Sequence, residues 1–161
     1  GGVKLDGLRV FELFEGGVSD ERMLKVLLDH GLDVGERDAD GSTLIHWWCS
    51  WWGGDRTAGV FQQMLQAAPP GTIDAQDARG ETALMYAARR GKNRKVRALI
   101  DAGANVHLRD RDGKAAWDRA DKNMQYRFPE LRPRPPRQIL PMPNRAARLA
   151  RVRRQDPQSP P

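Results

Sequence analysis

A short element recurs three times in this chain of 161 residues. Each copy has an aspartate followed three positions later by a glycine, at residues 38–41, 77–80 and 110–113. A glycine at this place favours a tight turn with positive φ, and the aspartate can accept hydrogen bonds from the turn backbone. The glycines lie 39 and then 33 residues apart. This period indicates stacked units, because one unit alone cannot bury its apolar surface.

Each unit is predicted to contain two helices. In the third unit, Thr82 is suited to cap a first helix, and Leu84, Ala87 and Ala88 follow as an apolar stripe at i, i+3 and i+4. A second apolar run around Leu99 precedes another glycine, which favours a helix end. The predicted helices lie near 7–15, 20–30, 43–51, 58–67, 82–90, 93–102 and 115–122.

Residues 80–91, together with the second apolar run and residues 103–106, resemble an ankyrin repeat. Residues 41–46 resemble the opening of another copy, and residues 113–120 resemble the shortened opening of a last repeat. The resemblance implies an all-α ankyrin-repeat solenoid of stacked helix-turn-helix repeats joined by β-turn hairpin loops. Its expected extent is 5–125, with repeats of about 5–37, 38–76, 77–109 and a partial repeat at 110–125.

The second repeat departs from the family pattern. It is six residues longer than the third, and four of the five tryptophans lie within residues 47–52. Trp48 stands where the family usually packs a small alanine, so a bulky ring would overpack an ideal stack. On a helix, Trp47 and Trp51 would share one face, and Trp48 and Trp52 another. Either all four fill one enlarged local core, or one pair is exposed as an interface anchor.

The titratable residues show no arrangement typical of catalysis. Cys49 is the only cysteine, and His46 lies three residues before it, but no third group is placed to orient the pair. The resemblance implies instead that His46 ties neighbouring loops together and that Cys49 is buried. The three histidines lack the spacing of metal ligands, and no glycine-rich phosphate loop is present. We therefore expect a protein that is not an enzyme and that has no cofactor and no metal.

The cysteine content also indicates the cellular compartment of the protein. Cys49 cannot form an internal disulfide, which fits a reducing compartment. No run approaches the roughly 18 consecutive apolar residues that a transmembrane segment needs. We expect an intracellular protein of the cytoplasm, or of the nucleus in a eukaryote.

Charge and proline are concentrated at the C-terminal end. Residues 1–125 hold 18 Lys and Arg against 19 Asp and Glu, whereas residues 126–161 hold 9 against 2. Nine of the 11 prolines lie from residue 129 onward. We expect residues 126–161 to be a disordered Pro/Arg-rich tail. It could bind nucleic acid or an anionic surface through a basic segment. The basic residues of that segment are Arg145, Arg148, Arg151, Arg153 and Arg154.

In the ankyrin arrangement, the turn tips and the first helices line one concave face. The partner-binding residues that this implies are Asp40, Ser42, Ser50, Trp51, Arg79, Glu81, Arg89, Arg90, Arg111, Asp112 and Lys114. Six cations in residues 89–97 also favour an acidic partner. We therefore predict a non-enzymatic protein–protein interaction module for an acidic or partly apolar protein. Two alternatives are nucleic-acid or anionic-surface binding through the tail, and a regulatory fragment of a larger enzyme.

Overall fold

The computed structural model describes residues 21–50 and 58–132. The α-helices of this part of the chain are α1 (Glu21–Asp29), α2 (Leu44–Ser50), α3 (Ala58–Ala67), α4 (Ala83–Arg89), α5 (Asn93–Asp101), α6 (Ala116–Arg119) and α7 (Lys122–Arg127). A 3-10 helix follows at Pro129–Leu131. Isolated β-bridges join Arg37 to Thr43 and Gln76 to Thr82 across the turns. The all-α prediction is confirmed.

The helices form two layers that follow the order of the repeats. In one layer α2 packs against α4, and α4 packs against α6. In the other layer α1 packs against α3, and α3 packs against α5. Leu84 on α4 and Leu99 on α5 are buried between the layers, as the apolar stripes predict. The result is a solenoid in which each repeat is stabilised by its neighbours.

Most predicted helices agree with the structure to within two residues. The helix predicted near 7–15 lies outside the described residues. The single helix predicted at 115–122 is wrong, because the chain turns extended at Ala120 and divides this stretch into α6 and α7. Asp121 then caps α7, since its side chain accepts the Met124 N–H at 2.7 Å.

The packed chain continues past residue 125, where the sequence pattern predicts the start of the tail. Met124, Phe128 and Leu131 are buried in the core at the end of the stack. Arg97 on α5 lies 5.0 Å from the Phe128 ring and pairs with Glu130 at 2.9 Å. These contacts cover the C-terminal side of the last repeat that the structure describes. The proline and arginine content therefore places the end of the packed repeats several residues too early in the chain.

Successive turns stack through close contacts between their backbones. The Arg111 N–H donates to the Arg79 carbonyl at 3.1 Å. Gly80 and Gly113 both have φ of 74°. A β-carbon on Gly80 would lie 3.0 Å from the Arg111 nitrogen, whereas one on Gly113, in the last turn, would meet nothing within 4 Å. Gly80 is thus needed for both its backbone conformation and its lack of a side chain.

His46 ties the second repeat to the third. The Thr43 N–H donates to His46 Nδ1 at 3.1 Å, so Nδ1 is the unprotonated nitrogen. The protonated Nε2 then donates to the Glu81 carbonyl at 3.1 Å. Burial lowers the pKa of His46 from its ordinary value, although the Glu81 carbonyl acts in the opposite direction. The neutral imidazole is therefore the form that the stack uses.

We predict that Gly80→Ala destabilises the protein more than Gly113→Ala. The second change carries only the cost of positive φ, about 1–2 kcal/mol. The first adds a backbone clash with the next turn, so the stacked turns must separate. Urea unfolding of both variants measures the difference. Equal losses of unfolding free energy would show that contact between the turns contributes little.

We also predict that acidification weakens the stack through His46. The unfolded histidine takes up a proton near its ordinary pKa of 6.5, and the folded one only at lower pH. The unfolded state therefore binds more protons in that interval, and the unfolding free energy falls as the pH decreases below 6.5. Urea unfolding at a series of pH values measures this fall. The variant His46→Gln should be less stable at neutral pH but should show a smaller decrease on acidification, and an unchanged pH profile contradicts the prediction.

Candidate functional site

One aspartate holds each turn, with both carboxylate oxygens engaged. In the third repeat, Oδ1 of Asp77 accepts the N–H groups of Arg79 and Glu81, each at 2.8 Å. Its Oδ2 accepts the Tyr86 hydroxyl at 2.8 Å, from nine residues further along the chain. The carboxylate thus fixes the turn itself and also fixes the turn against α4.

The donor nine positions after the aspartate differs between repeats. In the second repeat, Trp47 Nε1 donates to Asp38 Oδ2 at 2.6 Å. In the fourth, Arg119 donates to Asp110 Oδ2 from two nitrogens, at 2.9 and 2.5 Å. In both turns Oδ1 again accepts two backbone N–H groups. An indole, a phenol and a guanidinium therefore occupy equivalent places on the turn side of the stack.

The protonation states of these groups suit their roles. Burial opposes ionisation of Asp110, but the Lys114 N–H and the Arg119 guanidinium hold its pKa below the ordinary value of 3.8. Burial, and then the hydrogen bond to Asp77, raise the pKa of Tyr86. At neutral pH Asp110 is therefore an ionised acceptor and Tyr86 a protonated donor.

A cleft of about 420 Å³, which we call the first cleft, lies between the second and third repeats. It is lined by Asp38, Asp40, Ser42, His46, Trp47, Ser50, Asp77, Ala78, Arg79, Tyr86, Arg89 and Arg90. Trp47 and Tyr86 contribute partly buried aromatic rings to its wall. The Arg89 guanidinium lies 4.8 Å from the centroid of the Tyr86 ring. The first cleft thus combines aromatic surface with cations.

A second cleft of about 350 Å³ lies between the third and fourth repeats. It is lined by Ala78, Arg79, Glu81, Arg89, Arg111, Asp112 and Arg119. The carboxylate of Glu81 is buried, 2.6 Å from Arg89 and 3.6 Å from Arg119. Arg119 also pairs with Asp112 at 3.1 Å and, beneath the lining residues, with Asp110 at 2.5 Å. We call this set of ion pairs the floor of the second cleft.

The structure brings most of the predicted partner-binding residues together. Asp40, Ser42, Ser50, Arg79, Arg89 and Arg90 line the first cleft. Glu81, Arg111 and Asp112 line the second cleft, where Arg79 and Arg89 recur. Lys114 is exposed but lines neither of these two clefts. Trp51 lies outside the described residues.

Two of these residues are less accessible than the sequence pattern suggests. Ser42 is 9% exposed and Glu81 is 2% exposed. Glu81 is engaged by Arg89 within the stack, so its carboxylate stabilises the fold before any partner arrives. Spacing along the turn predicts which residues lie at the turns but does not predict how deeply each side chain lies.

The aromatic contribution comes from residues that the prediction did not choose. Trp47 and Tyr86 line the first cleft, whereas Trp48 is 2% exposed and belongs to the core. Trp52, like Trp51, lies outside the described residues. The sequence does carry a signal for both aromatic residues. Each stands nine positions after a turn aspartate, where the first helix brings its side chain back beside the turn.

Part of the basic run at 89–97 is structural. Lys95 is 2% exposed, and its Nζ donates to the Trp48 carbonyl near the end of α2 at 2.5 Å. The ammonium also lies 5.7 Å from the Trp48 ring and 6.0 Å from the Phe61 ring. A cation at this place satisfies a terminal carbonyl and complements the helix dipole. This residue therefore stabilises the overlong second repeat and is not exposed to a partner.

The pair of Cys49 and His46 is not arranged for nucleophilic chemistry. Burial raises the pKa of Cys49 to about 12, although the nearby Lys95 acts against this. The nucleophilic thiolate is therefore scarce at neutral pH. In residues 21–50 and 58–132, no group of three or more His, Cys, Asp and Glu is placed to hold a metal ion. Over the same residues, no helix has the length and apolar content to cross a membrane.

Comparison with known proteins gives a consistent picture. The chain is 35% identical over 95 residues to the ankyrin repeat protein OPG189 of Variola virus, covering 59% of this chain and 16% of that protein. It is 43% identical over 51 residues to Inversin-A of Xenopus laevis, covering 32% of this chain and 5% of the relative. It is 33% identical over 92 residues to diacylglycerol kinase zeta of Rattus norvegicus, covering 57% and 10% respectively. The chain thus spans only a small part of the length of each relative.

Residues 16–110 match the family profile described as ankyrin repeats (3 copies). That stretch is more than half of the chain, and it contains the three turn aspartates, the positive-φ Gly80 and the helices α1 to α5. The protein belongs to the ankyrin-repeat family.

Proposed function

We propose that this protein is a non-enzymatic module that binds an acidic, partly apolar segment of a protein partner in the first cleft. Ankyrin repeats are generally protein–protein interaction modules. The turn tips and first helices that line the first cleft form the concave face of such a stack. The proposal therefore combines the family's general role with the chemistry of this particular surface.

The proposal rests on which charged side chains of the first cleft are left without an ion pair or hydrogen bond among the described residues. Asp38 and Asp77 have both carboxylate oxygens engaged within their turns. The guanidinium groups of Arg79 and Arg90 are exposed and make no hydrogen bond or ion pair to the described residues. Asp40 contributes an opposing exposed carboxylate. The first cleft thus presents an excess of available positive charge, which favours an acidic partner.

The aromatic wall supports an apolar contact beside the charged one. Trp47 and Tyr86 are partly buried and are held by hydrogen bonds to the turn aspartates. Rings fixed in this way lose little conformational freedom when a partner binds. Aromatic and arginine side chains are also frequent energetic centres of interfaces. A segment with one apolar side chain near carboxylates matches this surface.

We predict that Arg90→Glu slows association with an acidic peptide by about tenfold at low ionic strength. The probe is a fluorescein-labelled peptide of glutamate and leucine, and stopped-flow anisotropy measures the rate. The effect should shrink as salt is added, because exposed charges are screened. The unfolding free energy should change little, since the exposed Arg90 side chain makes no hydrogen bond or ion pair to the described residues.

Arg127→Glu is the matched control, because it makes the same change of charge on α7 and lines neither cleft. It should leave the association rate nearly unchanged. Truncation after residue 132 tests the tail while retaining the buried Phe128 and Leu131. If that truncation abolishes peptide binding and Arg90→Glu does not affect it, the tail is the binding element and the first cleft is not.

A further inference from the structure

The second cleft differs chemically from the first. At the first cleft, the turn aspartates accept hydrogen bonds from the aromatic side chains of Trp47 and Tyr86. At the second cleft, Asp110 accepts from the guanidinium of Arg119 instead. Four of the seven residues that line the second cleft are arginines. The second cleft is therefore charged where the first is aromatic.

The floor of the second cleft is already occupied by the protein's own ion pairs. Arg119 reaches Asp110 at 2.5 Å and Asp112 at 3.1 Å, and it lies 3.6 Å from Glu81. Arg89 satisfies Glu81 Oε1 at 2.6 Å, while Oε2 of this buried carboxylate has no hydrogen-bond partner in the described structure. The carboxylates of the floor are those of Glu81, Asp110 and Asp112, and its guanidinium groups are those of Arg89 and Arg119. The floor therefore carries a small excess of negative charge.

The rim has the opposite character. Arg79 and Arg111 lie on consecutive turn tips that are joined by the hydrogen bond from the Arg111 N–H to the Arg79 carbonyl. Both side chains are exposed and have no acceptor among residues 21–50 and 58–132. Two arginines held side by side by the turn stack can donate together to one anionic group.

We propose that the second cleft is a carboxylate subsite, which takes an Asp or Glu side chain from the same partner segment that occupies the first cleft. This inference rests on the proposed function of the first cleft. The rim arginines attract one anion, and the negative floor disfavours a dianion such as a phosphate monoester. Arg79 and Arg89 line both clefts, so one bound segment can reach from the first to the second.

The distance between neighbouring repeats determines how far apart the apolar side chain and the carboxylate of the partner segment must lie. Packed helices lie roughly 8–10 Å apart, so neighbouring clefts are separated by about that distance. In a polyproline-type extended peptide, side chains three residues apart face the same way and lie about 9 Å apart. The partner segment therefore carries its apolar side chain and its carboxylate about three residues apart.

The experiment uses the full chain and fluorescein-labelled, proline-rich peptides with a single leucine and a single glutamate. One series separates the two residues by one, three or five positions. A second series, at three positions, replaces the glutamate by glutamine or by phosphoserine, or the leucine by alanine. A single-stranded RNA oligonucleotide is added as a competitor. Fluorescence anisotropy gives the dissociation constants for the natural protein, for Arg111→Ala and for the control Arg127→Ala. Circular dichroism and thermal unfolding check that each variant is folded.

We expect the natural protein to bind the three-residue spacing best and to lose about tenfold in affinity when glutamate becomes glutamine. In Arg111→Ala the same replacement should have a smaller effect, of about twofold to threefold, because one of the two arginines that bind the carboxylate is gone. Arg127→Ala should behave like the natural protein. Phosphoserine should bind more weakly than glutamate.

Other outcomes overturn the inference in distinguishable ways. If leucine is required for binding but glutamine replaces glutamate without loss, the carboxylate subsite is wrong and the first cleft stands. If phosphoserine binds more tightly than glutamate, or a single-stranded RNA oligonucleotide displaces the peptide from the natural protein but not from Arg111→Ala, the second cleft is a phosphate site. If replacing leucine by alanine has no effect, or no peptide binds, the proposed function fails together with the inference.

Discussion

The structure depends on one repeated hydrogen-bonding device, the turn aspartate that accepts on both carboxylate oxygens. At Asp38, Asp77 and Asp110, one oxygen closes the turn and the other fixes the turn to a side chain nine residues later. Without this anchor the turn tips would not stack on each other, and the clefts between them would have no fixed walls. The device requires only that the side chain nine residues later can donate a hydrogen bond. The donor is therefore free to vary, and its identity sets the chemistry of the face without changing the fold.

Arginine has two roles in this stack, and the difference lies in whether a carboxylate is within reach. Arg89, Arg97 and Arg119 pair with glutamate or aspartate and hold neighbouring elements together. Arg79, Arg90 and Arg111 project from the turn tips or the end of α4, where no acceptor among the described residues meets them. Ion pairs of the first kind are satisfied before any ligand arrives. The arginines of the second kind keep their charge available, which is why the proposed binding surface is positive although residues 1–125 are close to neutral.

Much of the fold was predictable because the information is local. The positive φ of the turn glycines and the capping of α4 by Thr82 follow from interactions within a few residues. The tie formed by His46 was implied by family resemblance, and the structure contains it. The end of the stack was not predictable in the same way. Proline and arginine content assigns residues 126–131 to a tail, but Phe128 and Leu131 are buried against the repeats that precede them. The apolar residues Met124, Phe128 and Leu131 do stand at i, i+4 and i+7, but the high proline and arginine content from residue 126 onward outweighs that pattern in the prediction.

For the candidate site, the sequence by itself determined which face of the stack carries the turn tips, since the repeat period places those residues on one side. The tertiary structure decided which of their side chains remain available. Glu81 is buried by arginines from α4 and α6, and Lys95 lies beneath the rings of Trp48 and Phe61. The contact between Lys95 and the Trp48 carbonyl joins residues 47 positions apart. Turns and helix caps are set by hydrogen bonds between near neighbours in sequence. The burial of Lys95 and the contact of Arg119 with Glu81 come instead from an adjacent repeat, and only packing brings that repeat into contact.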